Sequence, residues 1–227
     1  MQNNSAYKEL RHRVVLQTED ENLLLPEEIN AFYAHSLVYP KKEPGIIESE
    51  LSGSSMEPRF AIGHPELRKI AVKVIENRIK KYNIEQVAFP GIGGAMTALA
   101  WAQTGCDICA AHLRVDKNAT HKRLKTRIEG FLSKDKPVWI TDDVLTTGNG
   151  FRSAFQCLLE SGYSVGGFVP LIAHEEGAGV RAAQCISMNH KEFIFSPIFL
   201  LFPLSKKKRP LTLFSSPNHV LFPNLRH

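Results

Sequence analysis

An α/β fold built on a mostly parallel sheet flanked by helices is predicted by three observations. Short apolar runs alternate with amphipathic helical stretches, two of those runs end in small-residue loops, and 43% of the 227 residues are hydrophobic. That apolar content can bury one sizeable core, so the chain reads as a single domain with at most a small addition.

Near the N-terminus PEEINAFYAHSLV is a short helix from Pro26, where proline suits the first turn and Glu27 and Glu28 suit the positive helix end. The following YPKKEPGIIESELSGSSMEPRF, rich in Pro, Gly and Ser, leaves room only for short extended pieces and could cover a site. From Pro65 to Lys81, Leu67, Ile70, Ala71, Val74, Ile75 and Ile79 fall on one helical face with Lys and Glu opposite. IEQVAFP is then a short strand, GIGGAMTALAWAQTG a glycine-rich turn entering a helix, and DICAAHLRV another strand. PVWIT leads into the loop DDVLTTGNG and a helix from Phe151 to Ser161, and SVGGFVPLIAHEE is the next strand. Such alternation puts functional groups outside the carboxyl ends of the strands. FIFSPIFLLFPL is too short and too proline-interrupted for a membrane span, and is expected as an edge strand or covering arm with a solvated SKKKRP behind it.

The net charge of +5, from 28 basic and 23 acidic residues, suits a partner or substrate bearing phosphates. Aromatic residues are not interleaved with basic ones as a stacking platform requires, which argues against nucleic acid. Cys106, Cys109, Cys157 and Cys185 include one C-x-x-C without a second metal-spaced pair, and are expected as reduced, buried thiols. The first residues lack the apolar core and cleavage site of a signal peptide, so the cytoplasm is the expected compartment.

Two loops carry the chemistry. Small residues behind a strand let backbone N–H groups converge on an anion, and a following helix adds its positive end. TTGNG before FRSAFQCLLESG fits that arrangement, with the Thr146 and Thr147 hydroxyls as extra donors and without the lysine of a P-loop. Asp142 and Asp143 just ahead of it would repel a bare phosphate, yet suit a sugar's vicinal hydroxyls and a Mg²⁺ bridging phosphates. A phosphorylated sugar is the implied ligand; a plain Asp/Thr/Gly surface turn is the alternative. FPGIGGAMTALA is a second such junction, suited either to a polyphosphate or to close helix-to-sheet packing. RVDKNATHKRLKTRIEG, with Arg114, Lys117, His121, Lys122, Arg123, Lys125 and Arg127, reads as a solvated loop or as a cationic lid over a leaving pyrophosphate.

VWITDDVLTTGNG resembles the signature of the type I phosphoribosyltransferases, which bind 5-phosphoribosyl 1-pyrophosphate. ELSGSSMEPRF, FPGIGGAMTALA, RVDKNATHKRLKTRIEG and VPLIAHEEGAG resemble, in turn, the N-terminal segment, pyrophosphate loop, catalytic loop and base-side turn of the orotate enzymes. The resemblance implies a hood over residues 1–64, to which the C-terminal segment could add, a transferase core over 65–195 and a tail over 196–227. It implies that Asp142 and Asp143 meet the ribose hydroxyls, directly or through Mg²⁺, and that Leu145, Thr146, Thr147, Gly148, Asn149 and Gly150 hold the 5-phosphate. Gly91, Gly93 and Gly94 would approach the pyrophosphate, Arg114, Lys117 and His121 would act over that leaving group, and His174 would lie near the base. Mg²⁺ bound mainly through the donor, a nucleobase acceptor and a homodimer are implied in the same way, with neither nucleic acid nor membrane as partner.

Departures from the family pattern are Val115 after Arg114 where a lysine is usual, Leu51 in place of a lysine before Ser52-Gly53, and no arginine in Ala173-His174-Glu175-Glu176-Gly177. A protonated His174 could replace one missing cation. Transfer of phosphoribose to orotate is the expected activity. Transfer to another nucleobase, or binding of the donor without turnover, are the alternatives.

Overall fold

The computed structural model describes residues 12–16, 23–38, 55–115, 127–174 and 177–203. Lys117, His121, Leu51, Glu175, Glu176 and the basic run near residue 206 lie outside the described residues.

The chain opens with β1 (His12–Leu16), α1 (Pro26–Ser36), β2 (Leu37–Val38), β3 (Ser55–Met56) and α2 (Pro58–Gly63). Then comes α3 (Pro65–Tyr82), on which all six anticipated apolar residues are buried, together with Arg78. Asn83 ends it at a left-handed φ of 50°, donating its N–H to Ile79 O, a usual helix stop. The core continues through β4 (Gln86–Pro90), α4 (Gly91–Ala102), β5 (Cys109–Leu113), β6 (Ile128–Gly130), β7 (Val138–Leu145), α5 (Asn149–Glu160), β8 (Val165–His174), α6 (Ala178–Asn189), β9 (Ile194–Phe195) and β10 (Phe199–Pro203).

The main sheet runs β1-β10-β8-β7-β4-β5-β6, with β9 also paired to β8, while β2 and β3 form a separate ribbon. β10, β8, β7, β4 and β5 are parallel; β1 and β6 close the edges antiparallel. One apolar cluster joins α1, α2, α3 and α4 to one sheet face through Phe32, Ile62, Ile75, Trp101 and Trp139. A second joins α5 and α6 to the other through Ile140, Phe151, Leu158, Phe168 and Val180. Trp101 Nε1 donates to Thr141 Oγ1 at 3.1 Å and that hydroxyl donates to Val169 O at 2.9 Å, tying α4 to two adjacent strands.

The order contains one reversal. From β4 the chain crosses by α4 to β5 on one side, whereas from β7 it crosses by α5 to β8 on the other. The segments leaving β4 and β7 therefore part over opposite faces and open a crevice at the carboxyl ends of these neighbours, where open α/β sheets hold their ligands.

Several boundaries differ from expectation. β7 does not stop at Thr141 but carries Asp142 and Asp143 as strand residues, because pairing with β8 extends to Leu145. α4 begins at Gly91, the residue at which the chain turns out of β4, and α5 begins at Asn149. The apolar run near residue 200 supplies two strands: β9 pairs with β8 alone among the described strands, as an edge strand does, whereas β10 lies inside the sheet because β1 covers it. Of the four cysteines, all free, only Cys157 is buried; Cys106 and Cys109 are half-buried and Cys185 is exposed. No helix among the described residues is long and apolar enough to cross a membrane.

Candidate active site at the strand reversal

Strand alternation sorts the paired acids. Ala88 pairs with Ile140, so Phe89, Thr141 and Asp143 face α4 while Asp142 faces α5. The Asp143 carboxyl lies directly over Gly93: a Cβ there would stand 2.3 Å from its Oδ1. A Cβ on Gly150 would be 3.6 Å from Asp142 Oδ2. The side chains thus diverge toward different helices yet stay close enough to act on each other.

Both are sheltered, with Asp143 9% exposed and Asp142 half-buried. Asp143 N donates to Asp142 Oδ1 at 3.0 Å, and Val144 N donates to Asp143 Oδ1 at 2.8 Å. Burial first, and the Asp143 charge second, push the Asp142 carboxyl up to about 8. Burial also raises Asp143, against the pull of the Val144 N–H, of Asp142 and of the Arg59 charge. Without ligand the pair favours holding a proton, which an arriving cation or hydroxyl donor would displace.

The glycines around the pair have separable reasons. Gly94 lets α4 close onto β4, since a Cβ there would sit 2.8 Å from Phe89 Cβ; this is helix-to-sheet packing. Gly93 makes room for the Asp143 carboxyl, and Gly91, at φ +60°, has open space around it. Gly148 is in the left-handed region at φ +79°, with its would-be Cβ 2.7 Å from Gly179 Cα. Gly179 N donates to Thr146 O and Gly177 N to His174 O, each at 2.8 Å, so the turns after β7 and β8 support one another. Thr146, Thr147 and Asn149 are exposed above them. α4, α5 and α6 all start here without a side-chain cap from the N-cap residue and without an acid in the first turn, so their positive ends favour an anion, although the Gly179 N–H of α6 is already taken by Thr146 O.

Arg114 stands just past β5, where its N–H donates to Arg127 O at 2.8 Å and its guanidinium pairs with Glu129 on β6. Phe89 pairs with His112 in register, so Arg114, two residues on, shares the face of Asp143. Only β4 and the Gly91 turn lie between them, about 10 Å at two strand spacings. His174 ends β8 one residue beyond the Leu145–Ala173 pair, half-buried and level with Thr146. Asp142, Asp143, Gly91, Gly93, Gly94 and the 145–150 segment thus stand at the carboxyl ends of β4 and β7, with Arg114 at the end of β5 and His174 at the end of β8. Sequence reasoning missed Arg59. It sits on α2, which packs against β7 and α4, and its Nη2 is 2.6 Å from Glu57 Oε2. A cation directly after a helix-starting proline was the available signal.

The fold, the reversed strand pair and the two glycine-rich junctions are those of the type I phosphoribosyltransferase fold. Among the proteins it resembles in sequence are orotate phosphoribosyltransferases. That of Methanosphaera stadtmanae is 29% identical over 154 residues, 64% of this chain and 85% of the relative. That of Bacillus cereus is 25% identical over 140 residues, 60% of this chain and 65% of the relative, so just under two thirds of that enzyme is matched. The Mycobacterium tuberculosis orotate phosphoribosyltransferase, solved with 5-phospho-α-D-ribosyl 1-diphosphate, superposes with a TM-score of 0.58 at 18% identity, covering 80% of this chain and 93% of that one. The adenine phosphoribosyltransferase of Leishmania tarentolae shares the fold at a TM-score of 0.51 and 18% identity, covering 75% and 85%. No family model matches the chain.

Proposed function

We propose that this protein transfers 5-phosphoribose from 5-phosphoribosyl 1-pyrophosphate to a nucleobase nitrogen, with orotate as the acceptor, releasing pyrophosphate. The observation that carries the reading is the divergence of Asp142 and Asp143 at the β4–β7 reversal, each toward the uncapped start of a different helix. A phosphorylated sugar with a second anionic group at its other end matches that layout. Its hydroxyls meet the carboxylates, its 5-phosphate lies on the 146–150 turn and its diphosphate on the Gly91 turn.

No group of three or more His, Cys, Asp or Glu side chains suited to a metal occurs among the described residues. Two carboxylates alone fit a Mg²⁺ that takes most of its ligands from the donor, and such an ion would offset charge on the diphosphate. The protein's own part is positioning and charge. Asp142 and Asp143 orient the ribose and favour the positive charge that builds on its reacting carbon, and Arg114 with Lys117 and His121 neutralise the departing pyrophosphate. A homodimer belongs to the same reading.

A second reading keeps the reaction and changes the base. His174, half-buried beside the 5-phosphate turn, favours it, because its charge and hence its preference for an anionic acceptor depend on pH. Pyrophosphate release from the donor with Mg²⁺ and each of orotate, uracil, adenine, guanine and hypoxanthine separates the two. Donor binding without release from any base would refute catalysis.

A further inference from the structure

The sheet face that carries Asp143 also carries Phe89, His112 and Arg114, and across the β5–β6 hairpin it carries Glu129. Glu129 is directly opposite His112 in register; its Oε2 lies 3.4 Å from His112 Nδ1, and its Oε1 meets Arg114 Nη2. The Arg114 side chain keeps 18% of its exposure and that of Glu129 29%. Arg114, and after it His112, hold the Glu129 carboxyl below its ordinary value, so it is an anion at neutral pH.

A guanidinium offers the same donors to a carboxylate and to a phosphate. Arg114 is thus bound to an internal anion on the very face where the diphosphate of the proposed donor would lie.

We propose that Glu129 is a positioning residue that competes with an anionic diphosphate for Arg114. It holds the guanidinium at the end of β5 before the diphosphate arrives, yields it on binding, and takes it back as pyrophosphate leaves. The inference rests on the transfer reaction proposed above, and it concerns a residue that touches neither the donor nor the acceptor.

Removing the competitor makes Arg114 more available. Calorimetric titration of Glu129→Gln with inorganic pyrophosphate and Mg²⁺ is expected to show binding about three- to fivefold tighter than wild type, the size of one partly exposed ion pair. In turnover, KM for the donor falls and kcat falls with it, because product release slows. A carboxylate that merely braced the hairpin would weaken binding when removed. In an Arg114→Gln background the same change has no effect on pyrophosphate affinity. Unchanged or weaker binding by folded Glu129→Gln, or equal tightening without Arg114, would overturn the proposal. If Glu129→Gln does not fold, Glu129→Asp, which withdraws the charge by one methylene, carries the test with the same expected sign. Wild-type protein that binds neither pyrophosphate nor the phosphoribosyl donor sinks the transfer reading and this inference together. Wild-type binding with unmoved variants sinks this inference alone.

Discussion

Replacing Asp142 with asparagine should make the ligand-free protein more stable and abolish the proposed transfer reaction. The Asp142 carboxyl, ordinarily at 3.8, is pushed up to about 8 by burial and by Asp143. The folded state therefore holds the proton more tightly than the unfolded chain does. The associated stability is fully present below about pH 4, is lost steadily as the pH rises toward 8, and is flat above that. At about 1.36 kcal/mol per unit, some three units separate the ordinary value from pH 7, which sets an upper bound of about 4 kcal/mol. Relaxation and water entry absorb part of it, so about 2 kcal/mol is expected for Asp142→Asn at pH 7. For a domain of this size that raises Tm by about 4–8 °C. Thermal unfolding of both proteins without ligand, from pH 4 to pH 9, tests this: the gain should be near zero at pH 4 and grow to a plateau above pH 8. A gain independent of pH, or a variant less stable at pH 7, would refute the assignment of that burden to an ionised Asp142.

Gly93→Ala puts a methyl 2.3 Å from Asp143 Oδ1 and should lose about 1–3 kcal/mol of stability with most of the donor affinity; donor titration beside a melt reads both. Gly148→Ala adds strain at φ +79° and a clash with Gly179, so turnover should fall at least tenfold, and unaltered kinetics would remove this turn from the 5-phosphate role. Trp101→Phe deletes the donor to Thr141 and should cost about 1 kcal/mol in urea unfolding with little change in KM. Chelation of Mg²⁺ should abolish pyrophosphate release while leaving Tm of the ligand-free protein unchanged, since no group of three or more metal-suited side chains occurs among the described residues; a fall in Tm would mean a resident metal.

The parts legible in the sequence were those governed by short-range pattern. Periodicity marked α3 residue by residue, and apolar runs marked β4, β5, β7 and β8. Tertiary pairing carried the rest. Asp142 and Asp143 are poor strand formers and read as loop, yet β8 holds them in a ladder. β1 and β6 have little pattern of their own and exist through β10 and β5. The paired acids and both glycine turns were visible as chemistry, but that Gly93 yields to a carboxyl while Gly94 yields to a strand depends on how α4 docks on the sheet. Arg59 escaped because its relation to Asp143 depends on how α2 docks, about which local sequence is silent.

The antiparallel match of His12 with Pro203 sets an order of events during synthesis. β1 leaves the ribosome before β4 to β8 and its partner β10 after them, so β1 must wait while they assemble without it. Until β10 arrives, the outer side of β8 is an open sheet margin with free backbone donors and acceptors. The nascent chain therefore passes through a stage with most of its core in place and one unsealed border. Its N-terminal strand acts as the closing staple of a sheet that was begun in the middle.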